Sequence, residues 1–513
     1  MVDLAPSMAA WLALAHWTHN TSITPVKTPD NQWSGLPSMG RPIGNDMRSA
    51  PHFGELNHEP VHDSINDLVD DSTMVLPPSD FNYALAALTD AHGCKGVLVS
   101  NVDNLMCADS TDTSQLLKSI EEKTGYALKV GQRLPDGTAV LTVDDRPVLT
   151  KAEGQRLVTA LRRTNLLGDV TMNEPVFPAA WLEGLVGETH KRRARDSHSR
   201  AADLVNCTWP EDTIPSDPMF AEQRALYDRD VGINLGETRF VTRGAGVNVA
   251  VLDNGIALPL HEDLAPEKFG RGGNVVEKDG NPEERPCDPW PGLPFGAYHG
   301  SAVATVIGAQ EGNDLGMVGV APDATIVPVR AIDCWAFASD IAAALYEAVD
   351  EHDAHVINMS LGSVGQCPDV VQNALNHGVE SGAVPVAAAG TMFPHAKWVW
   401  PANCDNVLTV GAVSNEGERL TGTGYGGNVD VMAPGEKLVA GYFGKEYGTF
   451  SYSSAATALA SGVVALLKSV KPDASFQSIV QTIRDTSRPH IKECDQCGAG
   501  LLDAGAALKA IRA

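Results

Sequence analysis

Long apolar runs and positive charge are both scarce in this chain of 513 residues. No uninterrupted apolar stretch approaches the roughly 20 residues that a bilayer-spanning helix needs, so no membrane span is expected. Lys and Arg number 38 against 64 Asp and Glu, for a formal net charge of −26. Such a surface repels phosphate backbones and anionic lipid, so nucleic acid is not expected as a partner. Aromatic residues make up only 6%. Cysteines are few, at nine, and only Cys494 and Cys497 have CxxC spacing. With no second CxxC pair, a zinc site is not expected.

What the sequence does contain is an ordinary globular composition rich in turns, with 48 Gly, 32 Pro and 43% hydrophobic residues. The length exceeds one ordinary core, so more than one domain is expected. Residues 8–17 form a short apolar segment, and Ala13-Leu14-Ala15 has a small-x-small pattern. This reads as a weak secretion signal, since Asp3 and no Lys or Arg precedes it. Residues 18–80 are rich in Pro, Asn, Asp, Ser and Gly without period, as in a flexible lead-in. Residues 1–124 are therefore expected to be an N-terminal extension, with a small apolar element near Gly96-Val97-Leu98-Val99.

Residues 125–178 read as a small α+β module. Residues 138–143 alternate as a strand, 151–163 carry Leu157, Val158, Ala160 and Leu161 at helical spacing, and 169–173 suit a second strand stopped by Pro175. A linker over 179–214 contains the basic run Lys191-Arg192-Arg193-Ala194-Arg195, a solvated loop of the kind proteases nick. From 215 to 513 strands and helices alternate. Strands are predicted over 247–252, 325–331, 355–361, 384–389 and 407–413. Helices are predicted over 300–309, 339–351, 369–381 and 455–468, the last apolar all round. The fold class is α/β, with a mostly parallel central sheet and helices on both faces.

In such sheets, sites gather at the carboxyl ends of strands and at helix N-termini. Asp253 ends a strand, with Gly255 allowing a sharp turn behind it. His299 and Ser454 each stand directly before a predicted helix. A Ser hydroxyl becomes a nucleophile when a His takes its proton, and the His needs a carboxylate to fix its tautomer. Taken singly, each of the three is equally consistent with a cap or a turn former.

The surrounding words carry more. Val249-Ala250-Val251-Leu252-Asp253-Asn254-Gly255-Ile256, followed by His261-Glu262-Asp263-Leu264, resembles the catalytic-Asp motif of the subtilisin-like serine proteases. His299-Gly300-Ser301-Ala302-Val303-Ala304 resembles the catalytic-His motif. Gly319-Val320-Ala321-Pro322 and Asn358-Met359-Ser360-Leu361-Gly362 match two further words of that family. Ser454-Ala455-Ala456-Thr457-Ala458 resembles the catalytic-Ser motif, and the spacing to Gly462 favours Ser454 over Ser453.

The resemblance covers about 275 residues and implies a secreted serine endopeptidase in which Asp253, His299 and Ser454 form the triad. It implies that Ser360, Leu361, Gly362, Ala388, Ala389 and Gly390 flank the primary specificity pocket and pair with substrate. It implies a monomer acting on polypeptides, with residues 125–178 as a propeptide that assists folding and inhibits the enzyme from within until processing between about 178 and 212. Disulfides Cys287–Cys334 and Cys367–Cys404 follow from the same resemblance, with Cys494–Cys497 a third candidate and Cys94, Cys107 and Cys207 left over. No cofactor is required. A structural calcium at Asp263 and the loop 313–317 is the one ion the resemblance suggests, against the plainer expectation of an ordinary acidic surface loop.

Six positions depart from the family. Thr391 stands where an Asn usually donates to the oxyanion, a donor whose loss costs about 100- to 1,000-fold in turnover. Tyr452-Ser453 replaces Gly-Thr before the nucleophile, Ala458-Leu459 replaces Pro-His after it, and Ala302 replaces the motif's second His. These departures support an alternative, a weak or inactive member that binds peptides or protein partners. A nucleotide-binding protein is a third reading, hinted at by Gly244-Ala245-Gly246. These glycines precede a strand, whereas a dinucleotide fingerprint follows one.

Overall fold

The computed structural model describes residues 97–100, 110–143, 149–164, 166–167, 169–173, 175–178, 192–193, 207–210, 213–285, 298–333, 336–391 and 395–513. The expected signal segment, the lead-in, Cys94, Cys107 and the Cys287–Cys334 pair fall outside these residues.

The first unit is the small α+β module. It comprises β1 (Val97–Ser100), α1 (Ser110–Thr124), β2 (Leu128–Arg133), β3 (Ala139–Val143), α2 (Lys151–Arg162) and β4 (Asp169–Met172). The sheet order is β2-β3-β1-β4, with β1 antiparallel to both β3 and β4. The sequence boundary at 125 thus leaves out β1 and α1, which are integral to this sheet and its core. Ile120 of α1 is buried with Leu128, Leu141, Leu157, Leu161 and Val170. Helix α2 starts on a capping box, Thr150 accepting from the Glu153 amide while Glu153 accepts from the Thr150 amide.

Two short strands follow, β5 (Pro175–Pro178) and β6 (Arg192–Arg193). The basic run is therefore not wholly a solvated loop. Arg192 and Arg193 pair antiparallel with Tyr447 and Glu446 as an added strand.

The large unit is built on seven parallel strands in the order β16-β15-β13-β11-β7-β9-β8. In chain order these are β7 (Asn248–Asp253), β8 (Gly273–Asn274), β9 (Thr325–Arg330), β11 (Val356–Met359), β13 (Val384–Ala388), β15 (Leu408–Val413) and β16 (Val431–Pro434). Helix α3 (His299–Gly308) lies between β8 and β9. Strand β10 (Ala336–Phe337) and helix α4 (Ala338–Asp350) lie between β9 and β11. After β11 come β12 (Leu361–Val364) and α5 (Asp369–Glu380), and β14 (Val399–Trp400) follows β13. The hairpin β17 (Leu438–Gly441) and β18 (Glu446–Phe450) leads into α6 (Tyr452–Val470), α7 (Phe476–Thr486) and α8 (Ala504–Ile511).

The strands are apolar without alternation because both sheet faces are covered. On β7, Val249 and Val251 belong to the core shared with α3, α6, α7 and α8, while Ala250 and Leu252 belong to the core on the opposite face, shared with α4 and α5. Helix α6 has the length and hydropathy of a membrane span, although polar residues interrupt its apolar run. Its apolar window is 89% buried within the protein, and it is the central core helix.

Candidate active site

Asp253 is the last residue of β7, and its neighbour Gly255 has φ of 106°, a turn that L side chains resist. The Ala331 amide fixes the Asp253 carbonyl at 2.9 Å, and the Asn254 amide donates to Oδ1 at 2.8 Å. The Asp253 carboxylate then faces His299. Oδ1 and Oδ2 lie 2.8 and 2.9 Å from His299 Nδ1, with both residues buried. Gly300 makes this approach feasible, because a Cβ there would run into the Gly255 carbonyl. Its amide instead donates to Asn254 Oδ1 at 3.0 Å.

His299 and Ser454 do not stand before their helices, as the sequence suggests. His299 is the first residue of α3 and Ser454 the third of α6. Neither helix has a side-chain N-cap: Tyr298 enters α3 with φ of 63°, and Ser451 makes no capping bond to α6. The sequence boundary came late because no cap marks it.

Helices α3 and α6 pack together in the same core. Phe450, four residues before Ser454, meets the His299 ring edge-on with centroids 5.2 Å apart. Ser454 is fully buried in the first turn of α6, where backbone amides have no intrahelical partner. Its Oγ donates to the Ser360 carbonyl at 3.5 Å, and Ser360 Oγ donates back to the Ser454 carbonyl at 3.1 Å. Ser453 turns elsewhere, its Oγ lying 3.0 Å from Thr391 Oγ1. Thr391 is buried and bridges Thr423. Tyr452 has φ of 68°, which explains why Gly suits this position.

The six expected pocket residues divide. Leu361 and Gly362 lie on β12 and pair antiparallel with Pro178 and Phe177 of β5. Ala388 ends β13, the Ala389 amide donates to the Val410 carbonyl, and Gly390 turns away with φ of 103°. The second edge of β5 is held by β10, with Val176 opposite Ala336 and Pro175 opposite Phe337, rather than by residues 388–390. Sequence reasoning missed β10 because a two-residue strand carries no periodicity.

Glu284 was also missed. Its Oε1 accepts from the Tyr298 amide at 2.7 Å, at the residue that introduces His299. Burial pushes its carboxyl up to about 8, with the nearby Asp253 charge adding to the rise and the Tyr298 amide opposing it.

A second acidic cluster sits at the expected ion position. Asp263 is buried, not part of a surface loop, and accepts from Asn313 Nδ2 at 2.9 Å and the Met317 amide at 2.7 Å. Asp217, also buried, accepts from the Gly312 amide at 2.8 Å. Burial pushes Asp263 to about 7 and Asp217 to about 6. The disulfides Cys367–Cys404 and Cys494–Cys497 are both formed, and Cys207 is a free thiol.

Comparisons with known proteins place the chain in a family. Residues 244–500 match the model of the Subtilase family, Peptidase S8. An extracellular protease of Xanthomonas campestris pv. campestris is 31% identical over 331 residues, covering 58% of this chain and 57% of that protein. A solved protease structure from Pseudoalteromonas arctica is 31% identical, with a TM-score of 0.55, over 58% of this chain and 99% of that one. Fervidolysin from Fervidobacterium pennivorans, described as a keratinolytic enzyme related to subtilisin, shares the fold. It is 20% identical with a TM-score of 0.60, over 82% of this chain and 61% of that one. The chain spans a little over half the length of the first curated relatives it matches.

Proposed function

The chain belongs to the subtilase family, and from that premise we propose that it is a secreted serine endopeptidase made as a self-inhibited precursor. The observation that carries this reading is the buried Asp253–His299 pair at 2.8 Å, packed against the segment that leads to Ser454. In the proposed reaction Ser454 Oγ attacks the substrate carbonyl and its proton passes to His299. The C–N bond breaks as His299 returns that proton to the departing amine. Water then attacks the acyl-enzyme, its proton again taken by His299, and the acid leaves while Ser454 regains its hydrogen. Asp253 fixes the imidazole tautomer. The first-turn amides of α6 and the Thr391 hydroxyl are the nearby donors for the oxyanion.

The precursor reading rests on how the module docks. Strand β5 fills the slot between β10 and β12 as an added strand. Asn173, fully buried, caps α4. Its Oδ1 accepts from the Ser339 amide at 3.0 Å and its Nδ2 donates to Ser339 Oγ at 2.8 Å. Leu98, Leu134 and Val140 of the module share a core with Ile341 and Leu345 of α4. Secretion is supported by the extracellular relative and by the two disulfides.

A structural calcium belongs to the same proposal. Two buried carboxyls, Asp217 and Asp263, beside the loop 313–317 are the oxygen donors at hand, although Asp263 already accepts from Asn313, Met317 and Tyr447. Such an ion would neutralise that acidic pair and take no part in peptide hydrolysis.

A fluorophosphonate probe tests the catalytic reading. Labelling of the processed protein that disappears in Ser454→Ala is expected. Unlabelled, correctly processed protein would instead favour the peptide-binding alternative, for which the engagement of Thr391 with Ser453 is the supporting observation.

A further inference from the structure

Two glycines stand at the walls of the expected pocket, Gly362 on β12 and Gly390 after β13. Both aim their missing side chain at one residue. A Cβ on Gly362 would lie 3.0 Å from Val399 Cγ1, and a Cβ on Gly390 would lie 3.0 Å from Val399 Cγ2. The isopropyl group of Val399 therefore spans the gap between the two walls. It is held there rigidly. Val399 is 1% exposed, and β14 pairs with β12, with Val399 opposite Val364 and Trp400 opposite Ser363.

Resting on the protease reading above, we propose that Val399 closes the pocket to large side chains and that this enzyme cleaves after small residues, alanine foremost. A branched side chain between the walls leaves room for a methyl group but not for a ring or a long chain. Each methylene that a pocket accepts or refuses is worth about 10- to 200-fold in selectivity.

The chain's own sequence meets this pocket. Strand β5 runs antiparallel to β12 with Phe177 opposite Gly362 and Pro178 opposite Leu361. In the sequence, Pro178 is followed by Ala179 and Ala180, both residues of the size that Val399 would admit, so the processing site inferred is the bond after Ala179.

The test uses full-length protein, with active sites titrated by the fluorophosphonate probe. Peptides differing only in the residue before the scissile bond are compared by kcat/KM. Alanine is expected to exceed phenylalanine by about tenfold or more. Val399→Gly should shift the phenylalanine-to-alanine ratio of kcat/KM at least tenfold toward phenylalanine, with Val399→Ala intermediate should the glycine variant fold poorly. N-terminal sequencing of the processed enzyme should begin at Ala180. Ala179→Phe should slow self-processing, and Val399→Gly should rescue it. A wild-type preference for phenylalanine, leucine or lysine overturns the proposal, as does a ratio unmoved by both Val399 variants or a processed terminus elsewhere. Absence of probe labelling strikes the protease reading instead, so the two failures are distinguishable.

Discussion

The residues around Ser454 decide how vigorous the proposed catalysis is. Thr391 is shorter than the Asn it replaces, and its hydroxyl is already engaged by Ser453. Thr391→Asn is expected to raise kcat about tenfold or more on a peptide substrate, since one well-aimed donor is worth about 100- to 1,000-fold. An unchanged kcat would mean that the amides of α6 suffice. Tyr452 holds a left-handed backbone at φ of 68°. Tyr452→Gly should relieve about 1 kcal/mol of strain and raise the melting temperature by a few degrees. Glu284 predicts a pH dependence. Its folded-state value of about 8 lies above the ordinary 4.5, so the folded protein keeps a proton that the unfolded chain has already released. Stability contributed by this group therefore falls as pH rises between those values. Denaturant unfolding across that range should show a shallower decline in Glu284→Gln, and parallel curves would remove Glu284 as the cause.

At the scale of elements, the long strands and helices were readable and the short ones were not. Strand β7 announced itself as Val249-Ala250-Val251-Leu252 because burial on both faces removes polar alternation. Strands β10 and β14 have two residues each, and only tertiary pairing defines them. Hence the β10 partner of β5, and Val399 itself, were invisible in the sequence, although the glycines facing Val399 were already singled out. Asp253, His299 and Ser454 are singled out by their neighbouring words, and the structure brings the first two into direct contact. The helix starts were misplaced because backbone turns replace capping side chains there. Element packing also yields a test. Gly300→Ala should push α3 away from β7, since the new methyl meets the Gly255 carbonyl. Activity on peptides should fall by at least tenfold even where the variant remains folded.

For the whole molecule, the Cys367–Cys404 bridge joins α5's entry to the loop before β15 across a separation of 37 residues. Replacing both cysteines by serine should lower unfolding free energy by about 2–4 kcal/mol, measured in denaturant. Adding a chelator should lower the melting temperature by a few degrees at most, because the core around Asp263 is already hydrogen-bonded. A fall of tens of degrees would make the ion integral to the fold. Domain limits were the least legible feature at this scale, because β1 joins β3 and β4 only through the folded sheet.

The docking of β5 between β10 and β12 has a consequence for when the proposed enzyme becomes active. While the chain is continuous, the module faces the slot at the millimolar effective concentration of a short tether. After scission the same hydrogen bonds and the same Asn173 cap must hold against bulk dilution. Cutting the bond is then only the first half of switching on. The second half is escape, set by how far the products disperse, so enzyme held at high density stays latent and enzyme released into a large volume awakens.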